Sequence, residues 1–154
     1  MRPLRVFAAL CALAFADLGL ISRAEAHEAS QEHCLALALY WEARAEGPHG
    51  MLAVASVILN RVRHPQFPDT ICEVVKEGGE TPPCQFSWWC DGRSDEPTEA
   101  RPWWRAKAVA KAVLNRPIHD TTLGALFFHA DYIRKPWRVP RTRTVQVGAH
   151  IFYR

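Results

Sequence analysis

A helix-forming segment that is apolar on almost every side constrains the fold of this chain most. Residues 31–46, QEHCLALALYWEARAE, are rich in strong helix formers and end at Gly47 and Pro48. At 100° per residue, the apolar side chains cover most of the helix circumference. Such a helix must be surrounded by other elements, so we expect nearly all of it to be buried.

One acidic side chain falls within this apolar arc. Glu42 lies near Leu35, Ala38 and Leu39 on the predicted helix. Burial disfavours the charged form of a carboxyl group and raises its pKa, which lets the group donate a proton near neutrality. A glycosidic leaving oxygen requires such a donor. The alternative is a buried glutamate that is merely paired with Arg44 or with an arginine elsewhere.

A second carboxyl group, Glu46, is expected one turn further along the same helix face. Residues four apart on a helix have Cβ atoms about 5–6 Å apart. Both side chains would leave the helix in the same direction, so they could not flank a sugar ring from opposite faces, as a two-carboxylate glycosidase requires. The sequence therefore favours Glu42 as a single acid/base. Glu46 would tune it, contribute to substrate binding or lie at the solvent surface.

Three further helices are predicted before the last third of the chain. Apolar residues that repeat at i, i+3, i+4, i+7, i+8 and i+11 indicate a helix over residues 49–63. Asp69 is placed to cap a short helix. Another helix is expected from about residue 98 or 102 to Asn115, where Pro117 stops it.

The last third of the chain has the pattern of strands. Residues 125–130 and 142–147 are predicted to be extended, and the second of these alternates polar and apolar residues. Gly148 permits a turn into a further extended segment, residues 150–153. We therefore expect an α+β fold in which a small antiparallel sheet follows a helical body.

The first 26 residues have the pattern of a secretory signal peptide. Two early arginines precede an apolar stretch over residues 6–21, and Ala24-Glu25-Ala26 forms an A-x-A cleavage site. A retained membrane anchor is the alternative, but the stretch is shorter than the roughly 20 apolar residues that a spanning helix needs. We expect cleavage to leave residues 27–154 as one catalytic domain, exported to the periplasm, the cell wall or the extracellular space.

The charge of the mature chain argues against one class of partner. Without the signal peptide the net charge is +2, against +3 for the whole chain. This is too small to indicate nucleic-acid binding, although it is compatible with weak attraction to an anionic wall polymer. We expect a monomer without cofactor or metal, and without stable membrane insertion once the signal peptide is removed.

Four cysteines remain in the mature chain: Cys34, Cys72, Cys84 and Cys90. In a small exported domain, an even number of cysteines favours disulfides. Three pairings are possible. The short interval between Cys84 and Cys90 favours a local loop closure, which leaves Cys34 to join the first helix to Cys72. A zinc site is the alternative, but the sequence has no paired C-x-x-C or H-E-x-x-H spacing.

The segment Tyr40–Gly47, YWEARAEG, resembles the Y-x-E-A-R-G-E signature of the SleB/CwlJ family of cell-wall hydrolases. Further blocks agree with that family in the same order, so the similarity covers about residues 34–154. These blocks span residues 50–63, 67–75, 84–88, 123–130 and 148–154. The chief departure is Ala45, where the family usually has glycine.

The resemblance implies a lysozyme-like α+β fold and an enzyme that acts on peptidoglycan glycan strands. The bond cleaved would be that between N-acetylmuramic acid and N-acetylglucosamine, in the manner of a lytic transglycosylase. In that chemistry one glutamic acid, here Glu42, protonates the leaving oxygen. Its carboxylate then helps the muramyl 6-hydroxyl close an anhydro ring, so no second carboxylate is needed.

Seven further side chains are candidates for holding the glycan. Sugar rings present apolar faces to aromatic rings and hydroxyl groups to amides, which favours the loop between Cys84 and Cys90. A second set could hydrogen-bond the acetamido groups from the side of the sheet. The loop candidates are Gln85, Phe86, Ser87 and Trp88, and the sheet candidates are His129, Tyr132 and Tyr153. The alternative is that Phe86 and one tryptophan fill the core and that the sheet residues are structural.

Two other functions compete with a glycosidase. A non-catalytic peptidoglycan-binding module could use the tryptophan-rich loop only to bind the glycan. Such a module would not need a carboxyl group within an apolar helix face. Cleavage after Ala26 would also make His27 the amino terminus, which with another histidine could form a copper brace for oxidative polysaccharide cleavage. That class has a sandwich of many strands, which the helical pattern does not predict.

Overall fold

The computed structural model describes residues 8–116, 118–134 and 137–154. The chain divides into a unit that ends at Ser30 and a larger unit, Gln31–Arg154. The first seven residues of the predicted signal peptide lie outside the described residues. In the part of the chain that is described, no helix is both long enough and apolar enough to cross a membrane.

The helix predicted over residues 31–46 is part of a longer helix, α1, Ala8–Ala43. The predicted start of the helix is wrong because residues 8–30 contain many alanines and leucines and no proline that would interrupt it. Within the larger unit the helix is buried on most sides, as expected. Its buried residues there are Cys34, Leu35, Ala36, Ala38, Leu39, Tyr40 and Ala43.

Helix α1 ends at Ala43, so the predicted end at Glu46 is also wrong. The Glu46 N–H donates to the Ala43 carbonyl at 3.0 Å, and the φ of +69° at Gly47 changes the direction of the chain, so the first helix does not continue. Pro48 then lies in the first turn of helix α2, Gly47–Val62. Because the chain turns between the helices, Glu46 does not share a continuous helix face with Glu42.

The other predicted helices are present. Helices α2, α3, Ile71–Val75, and α4, Ala100–Asn115, lie within a few residues of their predicted positions. The prediction that Asp69 caps α3 is wrong. Thr70 occupies the cap position one residue later, and its hydroxyl accepts the N–H of Glu73 at 3.3 Å. Pro117, which was expected to stop α4, lies outside the described residues.

The Tyr40 hydroxyl ties α1 to the amino terminus of α4. It accepts the N–H groups of Thr98 and Glu99 at 3.1 and 3.0 Å, at the point where the helix is about to begin. Its own proton is within reach of the Thr98 hydroxyl, at 3.4 Å. Tyr40 is fully buried two residues before Glu42, so this bonding fixes the part of α1 that carries the acid.

The carboxy-terminal third forms a three-stranded antiparallel sheet with the order β1-β3-β2, which confirms the α+β prediction. The strands are β1, Phe127–Ala130, β2, Arg143–Val147, and β3, His150–Tyr153. Phe152 on β3 is fully buried and packs with Ala53 and Val57 of α2, so the sheet is attached to the helical body.

Both predicted disulfides are formed. Cys34 in α1 is bonded to Cys72 in α3, and Cys84 is bonded to Cys90 across a separation of six residues. Each of the four sulfurs is therefore part of a disulfide bond, which rules out the zinc alternative for these cysteines. The first bond fixes α3 against α1, and the second closes the loop that contains Phe86 and Trp88.

Candidate active site

A cleft of about 560 Å³ lies within the larger unit, with Glu42 in its wall. One side consists of α1 and the loop closed by Cys84 and Cys90, and the other consists of β1 and the segment that follows it. The lining residues are Trp41, Glu42, Arg61, Cys84, Gln85, Phe86, Ser87, Trp88, Phe127, Phe128, His129, Ala130, Tyr132, Ile133, Trp137 and His150. Glu42 is the only acidic side chain among them.

A second groove, of about 470 Å³, lies between α2 and α4. Its lining is more apolar and includes Leu52, Trp104 and Val109, together with two arginines, but no carboxyl group. A site for acid catalysis needs a proton donor, so the cleft that contains Glu42 is the candidate active site.

Glu42 is half-buried, so its carboxyl group is both surrounded by protein and reachable from the cleft. Burial is the largest influence on its pKa and raises it from 4.5 to about 7. The indole N–H of Trp88 and the positive charge of Arg61 act in the opposite direction, because both favour the carboxylate. A carboxyl group with this pKa is largely protonated just below neutrality and can serve as a general acid.

The Trp88 indole approaches Glu42 without completing a hydrogen bond. Its Nε1 is buried, and no acceptor among the described residues meets ordinary hydrogen-bond geometry. The interaction with the Glu42 carboxyl group is therefore weaker than a full hydrogen bond, although it still lowers the pKa. Burial therefore remains the main influence on the pKa of Glu42.

Glu42 is not neutralised by the arginine considered from the sequence. Arg44 forms an ion pair with Glu99 at 3.0 Å, and its guanidinium lies over the rings of Tyr40 and Trp41. In the described part of the chain Glu42 has no ion pair of its own. The paired-glutamate alternative is therefore wrong for Arg44, and the charge of Arg61 acts on Glu42 only from a greater distance.

The structure places Glu46 outside the cleft. Its carboxylate accepts the N–H of Ala149 at 3.0 Å and contacts the turn between β2 and β3. Any side chain at Gly148 would collide with that carboxylate, so the glycine is required for this close approach. Glu46 does not contribute to the pKa of Glu42, which corrects the expectation that the two carboxyl groups interact. Its charge acts instead on His150.

The loop candidates line the cleft together. Phe86 and Trp88 are both buried in the main core, which is the alternative considered from the sequence, yet both also face the cleft. Ser87 is exposed and begins a short 3₁₀ helix, Ser87–Cys90. The Trp88 ring stacks with that of Trp41 at 6.4 Å between centroids, so this wall of the cleft contains a pair of stacked aromatic rings.

Gln85 is held by a cation that the sequence analysis missed. With the amide oxygen turned toward Arg61, it accepts from both terminal guanidinium nitrogens, at 3.1 and 3.2 Å. Arg61 is buried and also donates from Nε to the Leu126 carbonyl at 2.7 Å. The carbonyl of Gln85 is thus occupied, which leaves its NH₂ group for a ligand in the cleft.

The sheet candidates occupy different environments. His129 lines the cleft, but its Nδ1–H donates to the Ala130 carbonyl at 2.7 Å, and its Nε2 is hydrogen-bonded to the Tyr153 hydroxyl at 3.0 Å. Both ring nitrogens are therefore engaged within the protein. Tyr153 is buried behind the histidine, whereas Tyr132 lines the cleft and is 83% exposed.

Sequence reasoning also missed several other cleft residues, among them Phe127, Trp137 and His150. Phe127 and Trp137 form an aromatic pair at the sheet side, with ring centroids 6.0 Å apart. His150 is buried on β3, and its Nδ1 has no hydrogen-bond partner in the described residues. The sequence indicated this wall through His129 and Tyr132, but it did not indicate Phe127 and His150, because the contribution of β1 and β3 depends on their pairing.

A family model described as Cell Wall Hydrolase matches residues 45–153, which is more than two thirds of the chain. The matched range begins three residues after Glu42.

Curated relatives are spore cortex-lytic enzymes. The enzyme of Bacillus subtilis (strain 168) is 34% identical over 119 residues, which cover 77% of this chain and 35% of the relative. That of Bacillus cereus (strain ATCC 14579) is 36% identical over 120 residues, with 77% and 42% covered. The chain therefore spans about a third to two fifths of the length of these relatives.

Solved structures share the fold. The catalytic domain of the germination-specific lytic transglycosylase SleB from Bacillus anthracis superposes with a TM-score of 0.64 at 32% identity, covering 80% of this chain and 93% of that one. The catalytic domain of the Bacillus cereus SleB protein gives 0.63 at 31% identity, with 80% and 89% covered. The expected resemblance is thereby confirmed: this chain belongs to the cell wall hydrolase family.

Proposed function

We propose that this protein cleaves the bond between N-acetylmuramic acid and N-acetylglucosamine in peptidoglycan, with Glu42 as its single acid/base. The observation that carries the proposal is a lone carboxyl group in the cleft wall, whose pKa burial raises to about 7. Aromatic rings on both sides of the cleft suit the apolar faces of sugars. The SleB protein of Bacillus anthracis is described as a lytic transglycosylase, which is the same class of reaction.

The reaction proceeds by internal attack rather than by attack of water. Glu42 donates its proton to the glycosidic oxygen, and the C1–O bond breaks to release the N-acetylglucosamine end. The resulting Glu42 carboxylate then accepts the proton of the muramyl 6-hydroxyl, whose oxygen bonds to C1 and closes a 1,6-anhydro ring. No second acidic side chain lines the cleft among the described residues, which favours this route over a two-carboxylate hydrolysis.

The remaining cleft residues bind the glycan strand. Gln85, Ser87 and Tyr132 present polar groups, while Phe86 and Trp88 present ring surface. His129 and Tyr153 support the sheet wall through their mutual hydrogen bond. Glu46 shapes the same wall indirectly, since it holds the turn next to His150.

The protein works outside the cytoplasm. Residues 1–26 act as a cleaved signal peptide, and residues 27–154 form a monomeric catalytic domain in the periplasm or cell wall, without stable membrane insertion. The two disulfides support this location, because such bonds persist in oxidising compartments.

The test is digestion of purified peptidoglycan followed by mass analysis of the soluble products. The wild-type protein is expected to release muropeptides with anhydro ends, and the Glu42→Gln variant to release none while keeping its fold. Glu99→Gln is the matched control, because Glu99 pairs with Arg44 outside the cleft and its loss should leave product release unchanged.

The possible outcomes separate the competing mechanisms. Reducing ends in place of anhydro ends would replace transglycosylation by hydrolysis. Substantial product release by Glu42→Gln would remove Glu42 from the mechanism. If the wild-type protein and the Glu42→Gln variant bind wall fragments equally well, and the wild-type protein releases no products, the protein is a peptidoglycan-binding module.

A further inference from the structure

The sequence from Asp131 to the first residue of β2 is rich in basic residues. Residues 131–143 contain five arginines or lysines and a single acidic residue, Asp131. The same segment supplies Tyr132, Ile133 and Trp137 to the cleft wall. Its basic residues are Arg134, Lys135, Arg138, Arg141 and Arg143.

Arg141 does not itself line the cleft but stacks on two aromatic rings of its wall. Its guanidinium carbon lies 3.2 Å from the centre of the Phe127 ring and 5.2 Å from the centre of the Trp137 ring. Both rings line the cleft. A guanidinium that stacks through its face keeps the N–H donors at its edge available for an acceptor.

The protein does not neutralise this charge. Among the described residues Arg141 has no ion pair, and its Nε is buried without a hydrogen-bond partner. Burial lowers the pKa of its guanidinium, and no carboxylate opposes that effect. Arg61 also lies near the Phe127 ring, at 5.7 Å, and the charge of Arg141 lowers the pKa of Arg61 too. Glu77 and Glu42 act on Arg61 in the opposite direction, so the positive charge beside this end of the cleft that no carboxylate opposes is that of Arg141.

The sugars of a wall strand offer this charge no partner. N-acetylglucosamine is neutral, and the lactyl group of N-acetylmuramic acid loses its charge where it is joined to a peptide. The free carboxylates lie on those short stem peptides. A stacked, partly desolvated guanidinium favours a planar carboxylate, which it can bind through two parallel hydrogen bonds.

We propose that Arg141 binds a carboxylate of the stem peptide on the muramyl residue, so that the enzyme prefers strands that carry acidic peptides. This inference rests on the proposed function and extends it from the glycan to the peptide part of the substrate. Arg141 acts here as a specificity residue and not as a catalytic one. Its loss therefore raises KM and leaves kcat close to that of the wild type.

The test compares two forms of one substrate: soluble glycan strands with intact stem peptides, and the same strands with the peptide carboxylates converted to methylamides. For the wild-type protein we expect KM to be about tenfold lower on the untreated strands, as one charge-assisted bidentate pair allows. Arg141→Gln should abolish that difference, and Arg141→Lys should restore part of it. Arg101→Gln, which removes an exposed charge on α4, should leave the difference intact.

An equal loss of activity by Arg141→Gln on both substrates would overturn the inference, because Arg141 would then only support the Phe127 ring. Equal KM values for the wild type on both substrates would overturn it as well. Failure of the wild type to cleave either strand would instead reject the proposed function. Calorimetric titration with the soluble acidic peptide then decides the inference separately: binding that Arg141→Gln weakens supports it, and no binding rejects it.

Discussion

At the scale of single residues, the proposed chemistry depends on one carboxyl group and on the charges around it. Burial keeps Glu42 protonated near neutrality, while Trp88 and Arg61 limit how far its pKa rises. A fully isolated carboxyl group would be a poorer acid, and a fully paired one would lose its proton too early. The arrangement therefore suits proton transfer in both directions.

The pH dependence of the rate should report this pKa. Since the free enzyme needs Glu42 in its protonated form, kcat/KM on soluble strands is expected to fall above pH about 7, by roughly tenfold per pH unit. Trp88→Phe removes a group that lowers the pKa, so it should move this alkaline limb to higher pH. A rate that stays constant up to pH 9 would show that another group donates the proton.

Glu42 should also cost stability at alkaline pH. Its pKa is higher in the folded protein than in the unfolded chain, so the free energy of unfolding falls as pH rises from 4.5 to about 7 and stays low above that range. The shift corresponds to at most about 3 kcal/mol, and partial exposure of the side chain reduces this figure. Denaturant unfolding should show Glu42→Gln to be about 1–3 kcal/mol more stable than the wild type at pH 8.

The two proteins should differ far less at pH 4, where wild-type Glu42 is largely protonated in both the folded and the unfolded state. A difference in stability that is the same at pH 4 and pH 8 would mean that the substitution acts through packing and not through charge. Glu99→Gln, with its exposed side chain, supplies the baseline for the loss of an acidic residue elsewhere.

At the scale of elements, the two disulfides differ in what they stabilise. The bond between Cys34 and Cys72 spans 38 residues and joins two helices of the core. The bond between Cys84 and Cys90 spans six residues and contributes mainly by shaping the cleft wall formed by Phe86 and Trp88. Chain entropy alone gives the longer loop the larger effect on stability, about 4 against about 2 kcal/mol.

Replacing each pair with serines should therefore separate stability from activity. The double variant at Cys84 and Cys90 is expected to lose at least about tenfold in kcat/KM with a modest loss of stability. The double variant at Cys34 and Cys72 should show the larger fall in melting temperature. Thermal unfolding and strand cleavage, measured on both proteins, check the contrast. The opposite ranking would show that the loop does not depend on its disulfide.

The helices and strands could be predicted because their signals are local. Apolar spacing located α2 and α4, and alternation located β2, each within a few residues. Helix ends were less accurate because they depend on single contacts. Glu46 seemed to continue α1, but Gly47 turns the chain, and the carboxylate then finds a partner 103 residues further on.

At the scale of the whole molecule, the sequence indicated most of one side of the cleft, but on the sheet side it indicated only His129 and Tyr132. Glu42 and the residues from Gln85 to Trp88 are close to local motifs, so the sequence indicated their side of the cleft. Arg61, Phe127 and His150 reach the cleft through the packing of α2 and the sheet, which no local pattern specifies. The family resemblance covered the chain but did not identify these contacts.

The unpaired indole N–H of Trp88 has a consequence for the course of the reaction. While Glu42 holds its proton, this donor has little to bind. In the proposed mechanism, once the proton has passed to the departing sugar, a negative charge forms on Glu42 beside a buried donor that is already in position. The protein therefore need not reorganise to receive that charge, so the intermediate state of the enzyme is prepared before any substrate arrives.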